Sequence, residues 1–530
     1  MILLFDITYT SIYFILFVAV TALIYFIFPL KKYRWVILLA ANIFFYTVAG
    51  YKYAFYILFT SATTYVSALA IEHISVTSKE YIKEHKKEWD KEQKKKYKAG
   101  ITRKKRAVMV IALVVNFGIL AFLKYYTFFA PSLGLLLPLG ISFYTFQSMG
   151  YIVDVYRDKT PAQKNPLKLL LFVSFFPQII QGPISIYSQL ANQLYEPHDF
   201  DFTRAKHGMQ LILWGFFKKL IIADRAVIAI NSVTDTYGSQ DGTTLTLTVV
   251  LYALQLYADF SGGIDISRGV AQILGIDMID NFKRPYFSKS INEYWRRWHI
   301  SLGAWMKDYV FYPVAMSSTF LNAGKKIKNS RFGKTAAGKH IAKVLPTAVA
   351  SLIVFLIVGI WHGSSMKYVA FGVWNGVVIM LSILFEPVFD LMADKLHINR
   401  KNFLFVLFQM FRTFIIVLVG YVFDVAPSFK LGMKTIAAFF TDQHTASFTS
   451  FFNDFGLTAK DYIIILAGAI IILISSIIQE RHPETNIRKM LDTKPFALRF
   501  ILIYACVICI IIFGIYGSGY DAADFVYMQF

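Results

Sequence analysis

Cysteine is nearly absent from this sequence: only two of its 530 residues are cysteines. Cys506 and Cys509 lie three positions apart in an apolar run, and no histidine or further cysteine near them could complete a metal site. We therefore predict ordinary helix packing for both side chains, and we expect no metal in the protein.

Acidic residues are also scarce, since 33 of them face 54 basic residues and the formal net charge is +21. The basic residues cluster between apolar segments, which makes nucleic acid a poor partner and indicates cytoplasmic loops beside an anionic leaflet. Lys31, Lys32 and Arg34 follow the first apolar segment, and a lysine-rich stretch at 79–106 follows the third. Both clusters predict an N-terminus outside the cytoplasm.

Two further features are missing. Residues 1–10 lack the basic start of a secretory signal peptide, so we expect the first apolar segment to be retained. No internal repeat suggests two inverted halves, which weakens an interpretation as a transporter.

What the sequence does contain is apolar residues, 56% of the chain, with aromatic residues at 17%. The fold class predicted from them is an all-α polytopic membrane protein with roughly eleven to thirteen membrane segments. Clear candidates lie at about 11–30, 51–71, 107–123, 344–361, 402–422, 461–478 and 498–516. Weaker ones, interrupted by glycine, proline or charge, lie near 34–48, 133–154, 167–184, 207–230, 243–258 and 366–387.

The organisation predicted is one domain over 1–530, with a charged cytoplasmic arm at about 73–106 and a catalytic core at about 167–387. His85 and Asp90 in the arm form an H-x4-D pattern, but an exposed lysine-rich helix offers no pocket that excludes water. The C-terminal YDAADFVYMQF is expected to lie at the membrane interface rather than to span it.

Two breaks are expected within apolar sequence. Asp259 and Asp265 lie in one apolar run, where Gly262 and Gly263 weaken a helix. Irregular backbone at membrane depth needs protein or water around it, so this run is expected to be broken or re-entrant and to line a tunnel. The second break is QGPI at 181–184, where proline follows glycine.

His299 and His362 are the candidate catalytic residues, because both adjoin tryptophan at the edge of strongly apolar sequence. The other candidates for substrate or tunnel lining are Asn292, Trp295, Arg296, Trp298 and Trp361. The first three of these lie seven, four and three positions before His299. On one continuous helix, these spacings would place the three side chains on the same face as His299.

A neutral imidazole is a good general base near neutral pH, and a positioned base accelerates a reaction roughly 10²- to 10⁴-fold. An activated thioester needs little more than such a base and a donor that stabilises the oxyanion. We choose His362 as the base. His299, Asn292 or Trp298 could orient the acyl carbonyl, and the spacing does not distinguish among them.

Five segments together resemble the membrane-bound O-acyltransferase family, especially its bacterial branch of alginate O-acetylation membrane proteins. They occur in the family's order: FPQIIQGPI at 176–184, FFKKLIIADR at 216–225, YADFSGGIDISRGVAQILGI at 257–276, NFKRPYFSKSINEYWRRWHISLGAWMKDYVFYP at 281–313 and GIWHGSSMKYVAFGVWNG at 359–376. The aromatic C-terminus is similar to the family's as well.

The resemblance implies a many-helix fold around a central tunnel, with one histidine matching His362 near its centre and another matching His299. It implies an acyl group, usually acetyl, carried from a cytoplasmic thioester to an extracytoplasmic polysaccharide or peptidoglycan. The donor would be acetyl-CoA or an acyl carrier protein, used as a substrate, with no permanently bound cofactor. Partners would be the bilayer of the bacterial cytoplasmic membrane, the glycan and an extracytoplasmic acetyltransferase protein.

Two alternatives remain open. The related D-alanyl transfer to teichoic acid shares the WRRWH-like and WHG elements. A glycan or lipid transporter or flippase would instead use Asp259, Asp265 and the arginines as a substrate path.

Overall fold

The protein is described by a computed structural model, which covers residues 8–50, 53–128, 130, 134–135 and 137–516. The chain divides into two units, one formed by 1–212 with 266–279 and the other by 213–265 with 280–530. Within the described residues the structure is helical and contains no strand, which confirms the predicted fold class. The C-terminal segment predicted to be interfacial lies outside the described residues.

The first unit, up to α9 at its boundary, begins with five helices of 16 to 35 residues and continues with four shorter ones. They are α1 Ile12–Ile27, α2 Arg34–Gly50, α3 Ala54–Glu84, α4 Lys91–Tyr125, α5 Ile141–Tyr156, α6 Pro166–Ser174, α7 Phe176–Ile179, α8 Tyr187–Tyr195 and α9 Phe202–Phe216. A π-helix at Phe217–Ala223 follows α9.

The second unit contains most of the remaining helices. They are α10 Asp224–Asp235, α11 Gly242–Ile273, α12 Ile291–Arg297, α13 Ile300–Met306, α14 Tyr312–Ala315, α15 Ser318–Asn329, α16 Ala336–His362, α17 Met366–Leu384, α18 Glu386–Lys395, α19 Phe403–Val425, α20 Phe429–Thr441, α21 Thr445–Asp454, α22 Ala459–Arg481, α23 Ile487–Asp492 and α24 Phe496–Phe513. A second π-helix, Lys307–Phe311, follows α13.

Eight helices in the described part of the chain are long and apolar enough to cross a membrane: α3, α4, α11, α16, α17, α19, α22 and α24. Shorter helices such as α1, α2 and α5 would also have to cross to reach the eleven to thirteen segments predicted, so that count stays a prediction.

The charged arm is a helical hairpin made by the ends of α3 and α4. Asp90 accepts a hydrogen bond from the backbone N–H of Gln93 at 2.7 Å, and the Gln93 side chain accepts one from the Asp90 N–H, so a capping box starts α4. The ring of His85 lies 3.0 Å from the carbonyl oxygen of Tyr81 and against Trp89. The H-x4-D pattern is therefore a helix turn followed by a cap.

The expected break at Gly262 and Gly263 is wrong, because α11 runs without interruption from Gly242 to Ile273. Gly262, like Gly269 in the same helix, allows close helix packing instead. A Cβ on Gly262 would lie 3.0 Å from the carbonyl oxygen of Gly215, and one on Gly269 would lie 2.6 Å from that of Gly208. Neighbouring backbone occupies the space of a side chain, so the glycines shape the packing without ending the helix.

The other expected break is confirmed. Helix α7 ends at Ile179, and no helix covers the QGPI segment before α8 begins at Tyr187. A Cβ on Gly182 would lie 2.1 Å from the Cα of Gln178, so the chain folds back tightly on itself there.

Candidate active site

His299 lies at a sharp break between two short helices. Helix α12 ends at Arg297, Trp298 is extended with φ −104° and ψ 129°, and His299 is left-handed with φ 47° and ψ 54° before α13 begins. The prediction of a single helical face shared with Asn292, Trp295 and Arg296 is therefore wrong. A left-handed conformation is uncommon for any residue other than glycine, and it turns the imidazole out of the periodicity of α12.

A neighbouring segment holds this break in place through backbone hydrogen bonds. The N–H of Lys283 donates to the carbonyl of Arg297 at 2.9 Å, and the N–H of Ile300 donates to that of Asn281 at 3.0 Å. The buried Asn281 side chain accepts from the N–H of Ser301 at 2.8 Å. Bonds on both sides of His299 keep the strained residue fixed.

His362 is the last residue of α16, a helix of 27 residues that begins after the lysine-rich connection. Its ring is inclined at 65° to that of Phe371, with ring centroids 5.3 Å apart, and lies roughly parallel to that of Tyr368 at 6.1 Å. The predicted position at the far end of this helix is confirmed.

The two histidines line one cavity in the second unit. Its volume of about 40 Å³ exceeds the ~10–15 Å³ that one water needs, but it admits only a small reacting group and not a polymer. The wall is mainly aromatic and aliphatic, and its ionisable members are one carboxyl group, two imidazoles and two phenols. The lining residues are Tyr252, Leu256, Phe260, Trp295, Trp298, His299, Leu302, Val358, His362, Phe371, Tyr421 and Asp424.

His299 is almost completely buried, with 3% of its surface exposed, and its ring stands perpendicular to Phe260 at 4.8 Å. Burial among aromatic rings penalises a charged imidazolium. A second imidazole on the same cavity adds to that penalty whenever it is protonated. Simultaneous protonation of both imidazoles is therefore disfavoured.

The other predicted lining residues divide into two groups. Trp295 and Trp298 line the cavity, and the indole N–H of Trp295 donates to Asn375 Oδ1 at 3.1 Å. Asn292 instead donates to Ser382 Oγ at 3.1 Å, while Arg296 is exposed. These two, with the buried Trp361, are not among the residues that line the cavity.

Asp259 and Asp265 form ion pairs with lysines and are not among the residues that line this cavity. Lys219 Nζ lies 2.6 Å from Asp259 Oδ1 and 2.8 Å from Asp224 Oδ1, and all three side chains are 1% exposed. Lys218 Nζ lies 2.6 Å from Asp265 Oδ2. A role for the two aspartates along a tunnel stays a prediction.

Sequence reasoning missed Lys218, Lys219 and Asp424. The lysines could have been noticed as two adjacent charges in the apolar stretch WGFFKKLII, where each needs a buried partner. Asp424 could have been noticed as an acid that ends the apolar run of α19. Among the described residues, no group of three metal-binding side chains is close enough to hold an ion.

The left-handed backbone at His299 predicts an order of stability among its variants. Asparagine tolerates this conformation whereas a β-branched residue does not, so His299→Val should lower the free energy of unfolding by about 1–3 kcal/mol relative to His299→Asn. Unfolding of the purified variants in detergent measures the difference. Burial alone would make the valine variant the more stable of the two. Equal stabilities, or a more stable valine variant, would therefore contradict the inference that the backbone at position 299 is strained.

Part of this chain matches a known protein family. The model of the family described as MBOAT, membrane-bound O-acyltransferase, matches residues 157–327, a range that contains His299 but ends before His362.

Curated relatives extend the match. A probable alginate O-acetylase of Pseudomonas putida is 30% identical over 362 residues, which are 65% of this chain and 67% of the relative. A peptidoglycan O-acetyltransferase of Helicobacter pylori is 29% identical over 52% of this chain and 55% of its own length. A teichoic acid D-alanyltransferase of Bacillus subtilis is 32% identical over 48% and 61%. The matches thus span between about half and two thirds of these relatives.

Proposed function

The chain belongs to the membrane-bound O-acyltransferase family, and from this premise we propose that it transfers an acetyl group from a cytoplasmic thioester to a hydroxyl of an extracytoplasmic envelope glycan. The acceptor is a polysaccharide or peptidoglycan, reached directly or through a partner protein. The observation that carries the proposal is the pair of histidines on one small, largely apolar cavity.

The arrangement suits acyl transfer because the cavity excludes most water and contains a base. A dry site strengthens each electrostatic interaction and limits hydrolysis of the thioester. His362 ends the helix that starts at the lysine-rich connection, so its imidazole lies at the end opposite the cytoplasmic lysines under the positive-inside rule. A donor entering from one side and an acceptor from the other would meet at the cavity.

In the proposed step, His362 accepts the proton of the acceptor hydroxyl while the oxygen attacks the thioester carbonyl carbon. The new C–O bond gives a tetrahedral oxyanion, and collapse of that oxyanion breaks the C–S bond. The imidazolium returns its proton to the leaving thiolate, so the enzyme ends unchanged. Of the residues predicted to orient the carbonyl, His299 and Trp298 line the cavity, which supports them over Asn292.

The donor is acetyl-CoA or an acyl carrier protein, and the site is that of a multi-pass protein in the bacterial cytoplasmic membrane. The relay through an extracytoplasmic acetyltransferase protein would spare this chain the need to hold a polymer in a cavity of about 40 Å³. A second candidate is D-alanyl transfer to teichoic acid, favoured by the relative in Bacillus subtilis.

Analysis of the groups released from the envelope by mild base tests the proposal. Cells with the wild-type gene should release acetate that cells with His362→Gln at equal protein level do not. Mass spectrometry distinguishes acetate from D-alanine, and a difference in D-alanine would favour the second candidate. Identical release from both strains would contradict both acyl-transfer functions.

A further inference from the structure

Asp424 lies at a helix position that is unfavourable for an acidic residue. It is the penultimate residue of α19, where the last turn of a helix carries the negative end of the dipole and favours cations. A residue that is unfavourable for its secondary structure, and that gains no compensating contact nearby, often has a functional role.

Lys367 forms hydrogen bonds with the backbone around Asp424, and its charge also attracts the carboxylate. Lys367, in the first turn of α17, donates from Nζ to the main-chain carbonyl of Asp424 at 2.9 Å and to that of Ala426 at 3.0 Å. These bonds satisfy carbonyls that the end of a helix leaves without partners. Within the part of the chain that the structure describes, the buried Oδ1 of Asp424 has no hydrogen-bond partner.

The carboxylate borders the same cavity as the two histidines. Tyr421, one turn earlier on α19, also lines it, and its hydroxyl is held by that of Tyr294 at 2.6 Å. Tyr421 is thus positioned by another residue, whereas Asp424 Oδ1 stays available. Leaving a buried acceptor oxygen without a partner destabilises the folded protein, and a bound hydroxyl would recover that loss.

We propose that Asp424 contacts the acceptor, accepting a hydrogen bond from a hydroxyl beside the one that attacks, and that it selects neutral acceptors over anionic ones. The inference rests on the proposed function, whose site it completes. Lys367 and Asp424 lie at the same end of the unit as His362, since α16 ends and α17 begins there. The carboxylate is therefore at the end where the acceptor would enter.

The selection follows from like-charge repulsion. At an effective dielectric near 20, an anionic group about 6–12 Å from a carboxylate is disfavoured by about 10- to 100-fold in affinity. The charge of Lys367 offsets part of this repulsion. A neutral hydroxyl pays no such penalty and gains a charge-assisted hydrogen bond.

The test uses the full chain in lipid nanodiscs and two acceptor probes with the same ring hydroxyls. Methyl β-D-glucopyranoside is neutral, and methyl β-D-glucuronide carries a carboxylate. Binding is measured without donor by saturation-transfer NMR, and transfer is measured with radiolabelled acetyl-CoA. The wild type should prefer the glucoside by about 10-fold or more, and Asp424→Asn should weaken glucoside binding by about 10-fold and reduce the preference to near unity.

Asp454→Asn is the matched control, because Asp454 also ends a helix but is exposed and does not line the cavity. It should leave both affinities unchanged. A lower unfolding temperature of Asp424→Asn with unchanged affinities would show a structural role and overturn the proposal, as would a wild type that binds neither probe or prefers the glucuronide. Altered binding without any wild-type transfer would support the role of Asp424 while contradicting direct transfer from this chain to a sugar hydroxyl.

Discussion

His362→Ala should lower the rate of acetyl transfer by roughly 10²- to 10⁴-fold, the range that a positioned general base contributes. The loss should appear in kcat, because the imidazole acts on the proton that moves in the transition state. His362→Gln should behave similarly, since the amide keeps hydrogen-bonding groups but cannot accept the proton. Transfer by purified protein in nanodiscs, with labelled acetyl-CoA, measures both variants.

His340→Ala is the matched control for this loss. His340 belongs to the same helix, α16, but its ring contacts the carbonyl oxygen of Ile383 at 3.0 Å and it does not line the cavity. Its replacement should change the transfer rate by no more than a few-fold, with the fold intact. A His362→Ala protein that is folded and transfers acetyl at the wild-type rate would remove this residue from the mechanism.

Lys219→Met should destabilise the folded protein by about 3–5 kcal/mol, the cost of leaving buried charges without their partner. The ammonium lies between Asp224 and Asp259, and removing it leaves two carboxylates at 1% exposure facing each other. Further replacement of both acids, as Lys219→Met with Asp224→Asn and Asp259→Asn, should recover much of the loss. Denaturant unfolding in mixed micelles measures the series.

Lys31→Met provides the comparison, because Lys31 pairs with Asp199 at 2.6 Å while the two side chains are 55% and 72% exposed. Exposed pairs contribute about 0–1 kcal/mol, so this variant should unfold nearly as the wild type does. A Lys219→Met protein as stable as Lys31→Met would show that the buried ion pairs are not needed for the fold.

The long apolar helices could be predicted from sequence because their signal is simple. A run of nearly twenty apolar residues has few alternatives to a helix that crosses a membrane, and α16, α19, α22 and α24 cover the predicted stretches. Gly262 misled the same reasoning, because glycine weakens a helix in isolation but permits close packing in a bundle. Whether a glycine weakens a helix or permits close packing depends on the neighbouring helix, which lies 40 residues or more away in sequence.

Both histidines chosen from the sequence line one cavity, but the sequence did not predict the backbone geometry around them, and their catalytic role stays a prediction. Helical spacing placed His299 on a face of α12, but hydrogen bonds from the segment at Asn281 end that helix and hold His299 in a left-handed conformation. Such tertiary contacts leave no periodic signal. Asp424 was missed for a similar reason, since 62 residues separate it from His362 and only the folded unit brings both to one cavity.

The hairpin of α3 and α4 provides an attachment site for a fused protein that would help structure determination. Helices of 31 and 35 residues rise about 46 and 52 Å, while a hydrocarbon core is about 30 Å thick. About 16–22 Å of helix would therefore extend beyond the lipid. The stacked rings of Tyr81 and Tyr97 join the two helices near the turn. A small rigid protein fused into the turn at 85–90 would serve as a fiducial mark for electron microscopy. The two paired helices on either side of the turn would hold it in a fixed orientation.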